Sequence, residues 1–158
     1  MTDPEHIAQL LRRLERLESL EAIRALRCRY HELVNLDQGD RLYELFASDA
    51  TVAYGGRPEV TGREHIRAFF KNFPVQVARQ FMHHHVVEVN GDRGRGHCDL
   101  DGRPVHNGQS LFVVGRFDDE YRRIAGAWYF QRVQLTVHYM VPPGAGWAEH
   151  LPFKGHRA

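Results

Sequence analysis

The spacing of apolar residues changes from a helical to an alternating pattern near Pro74, and this change sets the fold class. Before Pro74, apolar residues recur in steps of three and four; after it, long segments alternate between apolar and polar residues. Helices followed by long antiparallel strands indicate an α+β fold, with three helices packed on one face of a strongly curved antiparallel sheet. Such a sheet forms a cone, which encloses a natural pocket for a small molecule.

The N-terminal segment predicts one long helix. Asp3 followed by Pro4 is typical of a helix start, because the carboxylate accepts from free amides and proline needs no donor there. The periodicity predicts about 30 helical residues with an apolar stripe facing the core, and Ser19 is a candidate break. Residues 1–18, rich in leucine, arginine and glutamate, form either an arm that packs on a neighbouring subunit or a solvated amphipathic arm. The stripe consists of Leu10, Leu14, Leu17, Leu20, Ile23, Leu26, Tyr30 and Leu33.

The middle of the chain predicts two shorter helices and a strand. The segment RLYELF reads as a second helix, and TVAY as a strand that ends at a glycine turn. Thr61 and Glu64 have the spacing of a capping box, in which each side chain satisfies a backbone amide at a helix start. We therefore expect the third helix, EHIRAFFKNF, to begin there and to stop before Pro74.

The second half predicts hairpins. The dipeptide Asn90-Gly91 separates FMHHHVVEV from another extended run, and both central residues of the favoured tight turn need positive φ. Two further strands meet at a turn around Gly126. We expect a single domain over residues 1–158, in which 142–158 forms a tail without periodicity.

Composition excludes several classes of function. The formal net charge of +1 gives no field that would favour nucleic acid or a membrane surface. No apolar run approaches the roughly 20 residues of a membrane span, and the N-terminal residues lack a secretory signal, so we expect a cytoplasmic protein. Cys28 and Cys98 have no metal-type spacing and are expected to be free thiols.

Four motifs carry a resemblance to a known family: RYHELVNLDQGDRLYELFASDATV, TGREHIRAFF, VEVNGD and FDDEYRRIAGAWYF. With the order of elements, they resemble the SnoaL-like branch of the nuclear transport factor 2 superfamily over about residues 15 to 140. Within this branch the chain is similar to bile-acid 7α-dehydratase, scytalone dehydratase and hexachlorocyclohexane dehydrochlorinase. The resemblance implies a cystatin-like cone and cofactor-free lyase chemistry by a histidine, an aspartate and tyrosines.

The resemblance also implies positions for the tyrosines and the histidine. Tyr30 matches the tyrosine on the first helix of the dehydratases, and Tyr54 the one that ends the first strand. His83 is the best match for the histidine, with His84 and His85 as alternatives. Judged from the residues alone, Tyr30 is equally compatible with a packing role in the core. The alternative for Tyr54 is cross-strand packing.

The aspartate departs from the family pattern. An ungapped reading places Asn35 where the lyases have aspartate, with Asp37 two residues further on. Either Asp37 takes the role after a shift at the helix end, or the dyad is missing. From the residues alone, Asp37 is more typical of a turn. Some members of the family have an arginine deep in the pocket. This chain offers no match for it, because the alternation places Arg132 on the polar face of its strand.

The triple histidine leaves several interpretations open. Strict alternation places His83 and His85 on one face and His84 on the other. A histidine pair at that spacing can bind zinc, with His97 or His138 as a third ligand, but the two cysteines are badly placed and the resemblance implies no metal.

One strand further on, two more polar residues are candidates. His97 and Asp99 share a face of the strand after Asn90-Gly91, and both are secondary candidates for acid–base work. Cys98 lies on the opposite face and is the competing residue for the pocket wall.

Together these residues predict a cofactor-independent lyase of the dehydratase type that acts on a small hydrophobic substrate, cyclic or polyketide-like. His83, oriented by Asp37, would remove a proton, and Tyr30 or Tyr54 would donate to the developing negative charge. An isomerase or cyclase using the same pocket, and a non-catalytic binding or assembly subunit, are the alternatives. We expect a homo-oligomer, either a dimer or a trimer.

Overall fold

The computed structural model describes residues 3–75 and 77–146, so the predicted tail lies largely outside the described residues. Within them the chain forms two α-helices, one 3₁₀ helix and seven strands. In chain order these are α1 Pro4–Asn35, the 3₁₀ helix Gly39–Leu45, β1 Phe46–Tyr54, β2 Val60–Thr61, α2 Arg63–Lys71, β3 Val77–Asn90, β4 Arg93–His106, β5 Gln109–Ser110, β6 Phe112–Ile124 and β7 Ala127–Val141.

The strands form one curved, open sheet in the order β2-β1-β7-β6-β4-β3, and β5 pairs with β4. The helices pack on the sheet, α1 chiefly against β3 and α2 against the 3₁₀ helix and β1. The predicted α+β cone with three helices is confirmed. One detail differs: β1 runs parallel to β7, and the long connection that a parallel pair needs is supplied by α2 and the five strands that lie between them along the chain.

The first helix begins where the sequence predicts. Oδ1 of Asp3 accepts from the amide of Glu5 at 3.1 Å, and the helix runs without a break at Ser19 to Asn35. The predicted core stripe is wrong for the first half, where leucines such as Leu14 and Leu17 are 51% and 63% exposed. Among the described residues, no layer of the domain covers this half, and burial starts at Ser19. Packing of this arm on another subunit stays a prediction.

The predicted second helix is confirmed as the 3₁₀ helix Gly39–Leu45, which contains all of RLYELF except Phe46. Two other local predictions need correction. The capping box is absent, because Gly62, with φ 92°, is the N-cap of α2 and makes no side-chain cap. The β3–β4 hairpin is correct, but Asn90 pairs with Arg93 in the ladder, so the turn is Gly91-Asp92 and only Gly91 has positive φ.

A β-bulge in β3 determines which histidine faces the interior. Between the paired positions His83 and Val86, β3 has two residues, His84 and His85, where β4 has only Cys98. His84 adopts a φ of 50°, and this extra residue shifts the alternation of side chains by one. His83 and His84 are consequently exposed and His85 is half-buried. The prediction that His83 and His85 share a face is therefore wrong.

Candidate active site

A cavity of about 630 Å³ opens between the helices and the sheet. Its walls are mainly apolar and include Phe70, Leu100 and Val113. Its most buried polar lining residues are Tyr30 and Tyr54, which are 1% and 7% exposed, so they mark its closed end. This arrangement suits a small apolar molecule with one polar group directed inward.

The two tyrosines at the closed end form a hydroxyl pair. The hydroxyls of Tyr30, from α1, and Tyr54, from the end of β1, are hydrogen-bonded to each other. Burial is the main cause that raises the pKa of Tyr30 above its usual value, so it stays a neutral phenol near pH 7. The pair holds two hydroxyl hydrogens and uses one between the rings, which leaves the other available to a ligand.

His31 follows Tyr30 on α1 and is 6% exposed. Its Nδ1 lies 3.1 Å from Oε1 of Gln80, a residue of β3 that lines the cavity. An amide oxygen only accepts, so Nδ1 carries the hydrogen and Nε2 keeps a free lone pair. That Nε2 is buried, and it has no hydrogen-bond partner among the residues that the structure describes. Burial, followed by the nearby charge of Arg27, lowers the pKa of His31 to about 3, so the ring is neutral.

A buried ion pair stands behind the tyrosines. Nε of Arg27 donates to Oδ2 of Asp119 at 2.9 Å, and the Tyr121 hydroxyl donates to the same oxygen at 2.8 Å. The Arg27 guanidinium lies 4.7 Å from the centre of the Tyr30 ring and 4.3 Å from that of Phe117. This network fixes the orientation of the Tyr30 ring by packing on its face.

His85 is the second imidazole directed to the interior. Its Nε2 is buried and, within residues 3–75 and 77–146, makes no hydrogen bond. Burial and then Arg27 lower the pKa of His85 to about 4, so it is also neutral near pH 7. It is the one member of the triple histidine that the bulge turns inward.

The structure does not bring His83 and Asp37 together, which corrects the predicted dyad. His83 is exposed on the outer face of β3, because the half-buried residues before the bulge are the alternate ones, such as Gln80 and Met82. Asp37 lies beyond the end of α1 with a φ of 60°, at the mouth of the cavity, where Arg79 donates to its two oxygens at 2.9 and 3.2 Å. Hydrogen bonds from Arg79 lower the pKa of Asp37, so its carboxylate is ionised and engaged.

Asn35, the residue at the position of the expected aspartate, binds backbone. Its Nδ2 donates to the carbonyl oxygen of Gln80 at 2.9 Å, and its Oδ1 accepts from the Gln80 amide at 2.6 Å. Since β3 is an edge strand, the carboxamide of Asn35 takes the place of a neighbouring peptide group. Asn35 thereby fixes the residue that orients His31.

The remaining candidates lie outside the cavity. Nδ1 of His84 lies 3.0 Å from Oδ2 of Asp99 in an exposed pair. On the inner face of β4 it is Cys98 that is buried, and burial raises the pKa of its thiol to about 12. His97 lines a separate hollow of about 760 Å³ on the outer face of the sheet, among charged side chains such as Glu88 and Arg95.

Two properties of the described part of the chain limit other assignments. Within residues 3–75 and 77–146, no group of three or more His, Cys, Asp or Glu side chains is placed to hold a metal ion. None of the helices there, including the long α1, is apolar enough along a sufficient length to cross a membrane.

Two interior residues were not among the candidates predicted from the sequence. Arg27 lies four residues after Ile23 and three before Tyr30, so it belongs to the buried stripe of α1, and an arginine on such a stripe signals a buried partner. His31 is four residues after Arg27 and shares its side of the helix. The helical spacing alone could have indicated both residues.

The fold and the site define a class: cone-shaped proteins with a small-molecule cavity between helices and a curved sheet. The chain belongs to the SnoaL-like domain family, whose model matches residues 15–134. This family includes dehydratases, dehydrochlorinases and isomerases. No curated protein matches the sequence significantly.

Solved structures agree with this assignment. A hexachlorocyclohexane dehydrochlorinase, LinA Type2, superposes with a TM-score of 0.76 at 25% identity, over 85% of this chain and 96% of that one. An NTF2-like protein with a cystatin-like fold from Novosphingobium aromaticivorans gives 0.65 at 25% identity, over 97% and 99%. A scytalone dehydratase-like protein from the same organism gives 0.71 at 16% identity, over 84% and 97%, and supports the fold alone.

Proposed function

We propose that this protein is a cofactor-independent lyase of the dehydratase type, acting on a hydrophobic cyclic or polyketide-like small molecule. The observation that carries the proposal is a hydrogen-bonded phenol pair at the closed end of an apolar cavity, with the neutral imidazole of His31 packed edge to face against the Tyr30 ring. Nε2 of that imidazole has no hydrogen-bond partner among the described residues. Membership of the SnoaL-like family and the likeness to a hexachlorocyclohexane dehydrochlorinase support an elimination.

In this proposal His31 takes the role of base that the sequence assigned to His83. Its Nε2 removes a proton next to a substrate carbonyl, and the free hydroxyl hydrogen of the tyrosine pair is donated to the carbonyl oxygen or to the departing hydroxyl. Positioned acid–base groups of this kind contribute roughly 10²- to 10⁴-fold each. Because charge develops away from bulk water, the tyrosine donor acts where its effect is strongest.

The partner of His31 restricts the substrate. Gln80 fixes the tautomer as a carboxylate would, but an amide stabilises an imidazolium less. Burial and then the charge of Arg27 lower the pKa of His31 to about 3, against the smaller upward effect of the Gln80 hydrogen bond, so the ring is a weak base. His31 is therefore suited to a proton that a carbonyl has already acidified, such as one at the α position of a β-hydroxy ketone.

The dimensions of the cavity fit such a substrate. Small-molecule sites typically enclose about 300–1,000 Å³, and the volume here is about 630 Å³. The ring of Phe70 lies 6.3 Å from that of Tyr30 and 5.9 Å from that of Tyr54, so aromatic faces surround the hydroxyl pair. A flat, cyclic molecule with one inward carbonyl matches this shape and polarity.

His85 is the second candidate base. It lies in the strand where the family resemblance implies a histidine, and it too presents a buried Nε2 without a partner. The Tyr30 ring is edge to face with the His31 ring at 5.6 Å, whereas His85 has no such contact with either tyrosine. This proximity favours His31.

Binding without chemistry is the second candidate function. Two observations favour it: an amide, rather than a carboxylate, orients His31, and Arg79 holds Asp37 at the mouth. In that case the same cavity holds a ligand that leaves unchanged. Isomerisation or ring closure at the same residues is separated from elimination by the mass of the product.

Mass spectrometry with a panel of cyclic β-hydroxy ketones tests the proposal. Elimination predicts a product lighter by one water, isomerisation a product of unchanged mass, and simple binding no product. For any substrate that is converted, His31→Gln should lower kcat by about 10²-fold or more. His83→Gln on the outer face is the matched control. If His31→Gln keeps full activity and His85→Gln loses it, the base is His85 rather than His31.

The state of assembly and the cellular location belong to the same proposal. We expect two or three copies of the chain in solution and a cytoplasmic location. Sedimentation of the purified protein measures the number of copies. Fractionation of the native cells measures the location.

A further inference from the structure

The mouth of the cavity carries two cationic side chains, Arg57 and Lys71. Both line the cavity, and both are exposed to solvent. In the part of the chain that the structure describes, neither forms an ion pair with a carboxylate. Most other arginines near the site are paired, so these two charges are available to a ligand.

The position of Arg57 is constrained by its turn. Its amide donates to the Tyr54 carbonyl at 2.8 Å, and Gly55 and Gly56, with φ of 46° and 79°, make the tight bend that precedes it. The guanidinium lies 4.9 Å from the centre of the Phe73 ring. A cation held over an aromatic face keeps free N–H groups at its edge. The charge is thus fixed over the apolar wall of the cavity.

The Phe73 ring links this cation to the closed end. It lies 5.8 Å from the ring of Tyr54, whose hydroxyl is bonded to Tyr30. A ligand with its carbonyl on the tyrosine pair and its body along Phe73 would therefore place its outer end at Arg57.

The other charges at the mouth largely cancel. Arg79 neutralises Asp37, and Asp101 neutralises Arg103. Asp40 is the one remaining lining carboxylate of the described residues that has no ion pair. With two free cations against it, the mouth favours an anion over a cation.

We propose that the cavity takes amphipathic ligands with an apolar cyclic body and a single carboxylate at the outer end, bound by Arg57 and Lys71. The inference rests on the proposed function only in that the same cavity is the binding site. An arginine presents paired N–H donors that match a carboxylate, and the apolar wall beside it reduces competition from water.

A pair of fluorescent probes tests the charge preference directly. 1-Anilinonaphthalene-8-sulfonate and N-phenyl-1-naphthylamine share an aromatic body, but only the first is anionic. Each probe is titrated into the full-length protein. Arg57→Gln and Lys71→Gln should each weaken binding of the sulfonate probe by about 3- to 10-fold, which is typical of a partly exposed charged contact. The affinity for the neutral probe should change by less than about twofold. Arg12→Gln on the arm removes the same charge elsewhere and is the matched control.

The two probes separate the possible outcomes. The inference would be overturned if the variants lost affinity for both probes equally. It would also be overturned if wild type, Arg57→Gln and Lys71→Gln bound the sulfonate with the same affinity. Either result would leave the proposed lyase intact. Selective loss of the sulfonate supports it even where no β-hydroxy ketone is converted. A higher salt concentration should weaken binding of the sulfonate probe more in wild type than in Arg57→Gln, because salt screens the charge that the variant lacks.

Discussion

Nδ1 of His31 lies 3.1 Å from Oε1 of Gln80, and this hydrogen bond determines which ring nitrogen can act. Asn35 holds the backbone of Gln80 through two hydrogen bonds, so the acceptor is itself fixed. The residue at the expected aspartate position thus contributes indirectly, by positioning the partner of the histidine. The orientation of the His31 ring therefore depends on two elements: α1, which carries His31 and Asn35, and β3, which carries Gln80.

Removing either tyrosine hydroxyl should affect function more than folding. Tyr30→Phe and Tyr54→Phe each leave one hydroxyl without its partner, at a cost of about 1 kcal/mol in the free energy of unfolding. Conversion of a substrate, once one is found, should fall by about 10- to 100-fold, because the donor to the developing charge is lost or misplaced. Tyr43→Phe, outside the cavity, should leave the rate unchanged. Equal rates in all three variants would remove the tyrosines from the mechanism.

Stability should fall in acid because His31 is buried as a neutral ring. Its pKa is lowered from 6.5 to about 3, so between these values the unfolded chain binds a proton that the folded chain does not. The free energy of unfolding therefore decreases as the pH drops from 6.5 toward 3, by up to about 1.4 kcal/mol per pH unit from this group. Urea unfolding at several pH values should show a shallower slope in His31→Gln and the wild-type slope in His83→Gln. Identical slopes in all three proteins would contradict the buried neutral state.

The buried ion pair predicts a large difference between adjacent aspartates. Asp119→Asn leaves the Arg27 charge in the core without a carboxylate, which typically costs about 3–5 kcal/mol. Asp118→Asn changes an exposed pair with Arg116 and should cost no more than about 1 kcal/mol. Denaturant midpoints measure both. A cost for Asp119→Asn as small as that for Asp118→Asn would mean that Arg27 is solvated.

The bulge in β3 makes a prediction at His84. A side chain at a φ of 50° costs about 1 kcal/mol relative to glycine. His84→Gly should raise stability by about 0.5 kcal/mol after the exposed bond to Asp99 is lost, whereas His84→Val should lower it by about 1 kcal/mol or more. Thermal unfolding of the two variants compares them. A valine variant more stable than the glycine variant would indicate a regular strand.

The sequence predicted the fold well because its signals are local. The Asp3 cap, the change of period at Pro74 and the hairpin each depend on neighbouring residues, and each element formed where it was expected. The family resemblance also led to Tyr30 and Tyr54, which meet at the closed end of the cavity.

Which of the three consecutive histidines faces the interior could not be predicted from the sequence. A single extra residue at His84 reverses the side-chain alternation of β3 between its first and second halves, and no local pattern announces a positive φ at a histidine. The positions of Asp37 and Gln80 relative to α1 depend on how an edge strand meets the helix end, which is a long-range property. His31 was overlooked because the triple histidine is the more conspicuous signal.

The protonation state of His31 tests the account most directly. In ¹⁵N-labelled protein, two-bond ¹H–¹⁵N correlations of the imidazoles, assigned with His31→Gln, should show His31 as the neutral Nδ1–H tautomer from pH 8 down to about pH 5. Titration of His31 with a pKa near 6.5, or a hydrogen on Nε2 instead, would contradict the claim that a free Nε2 lies ready to accept a proton beside the tyrosine pair.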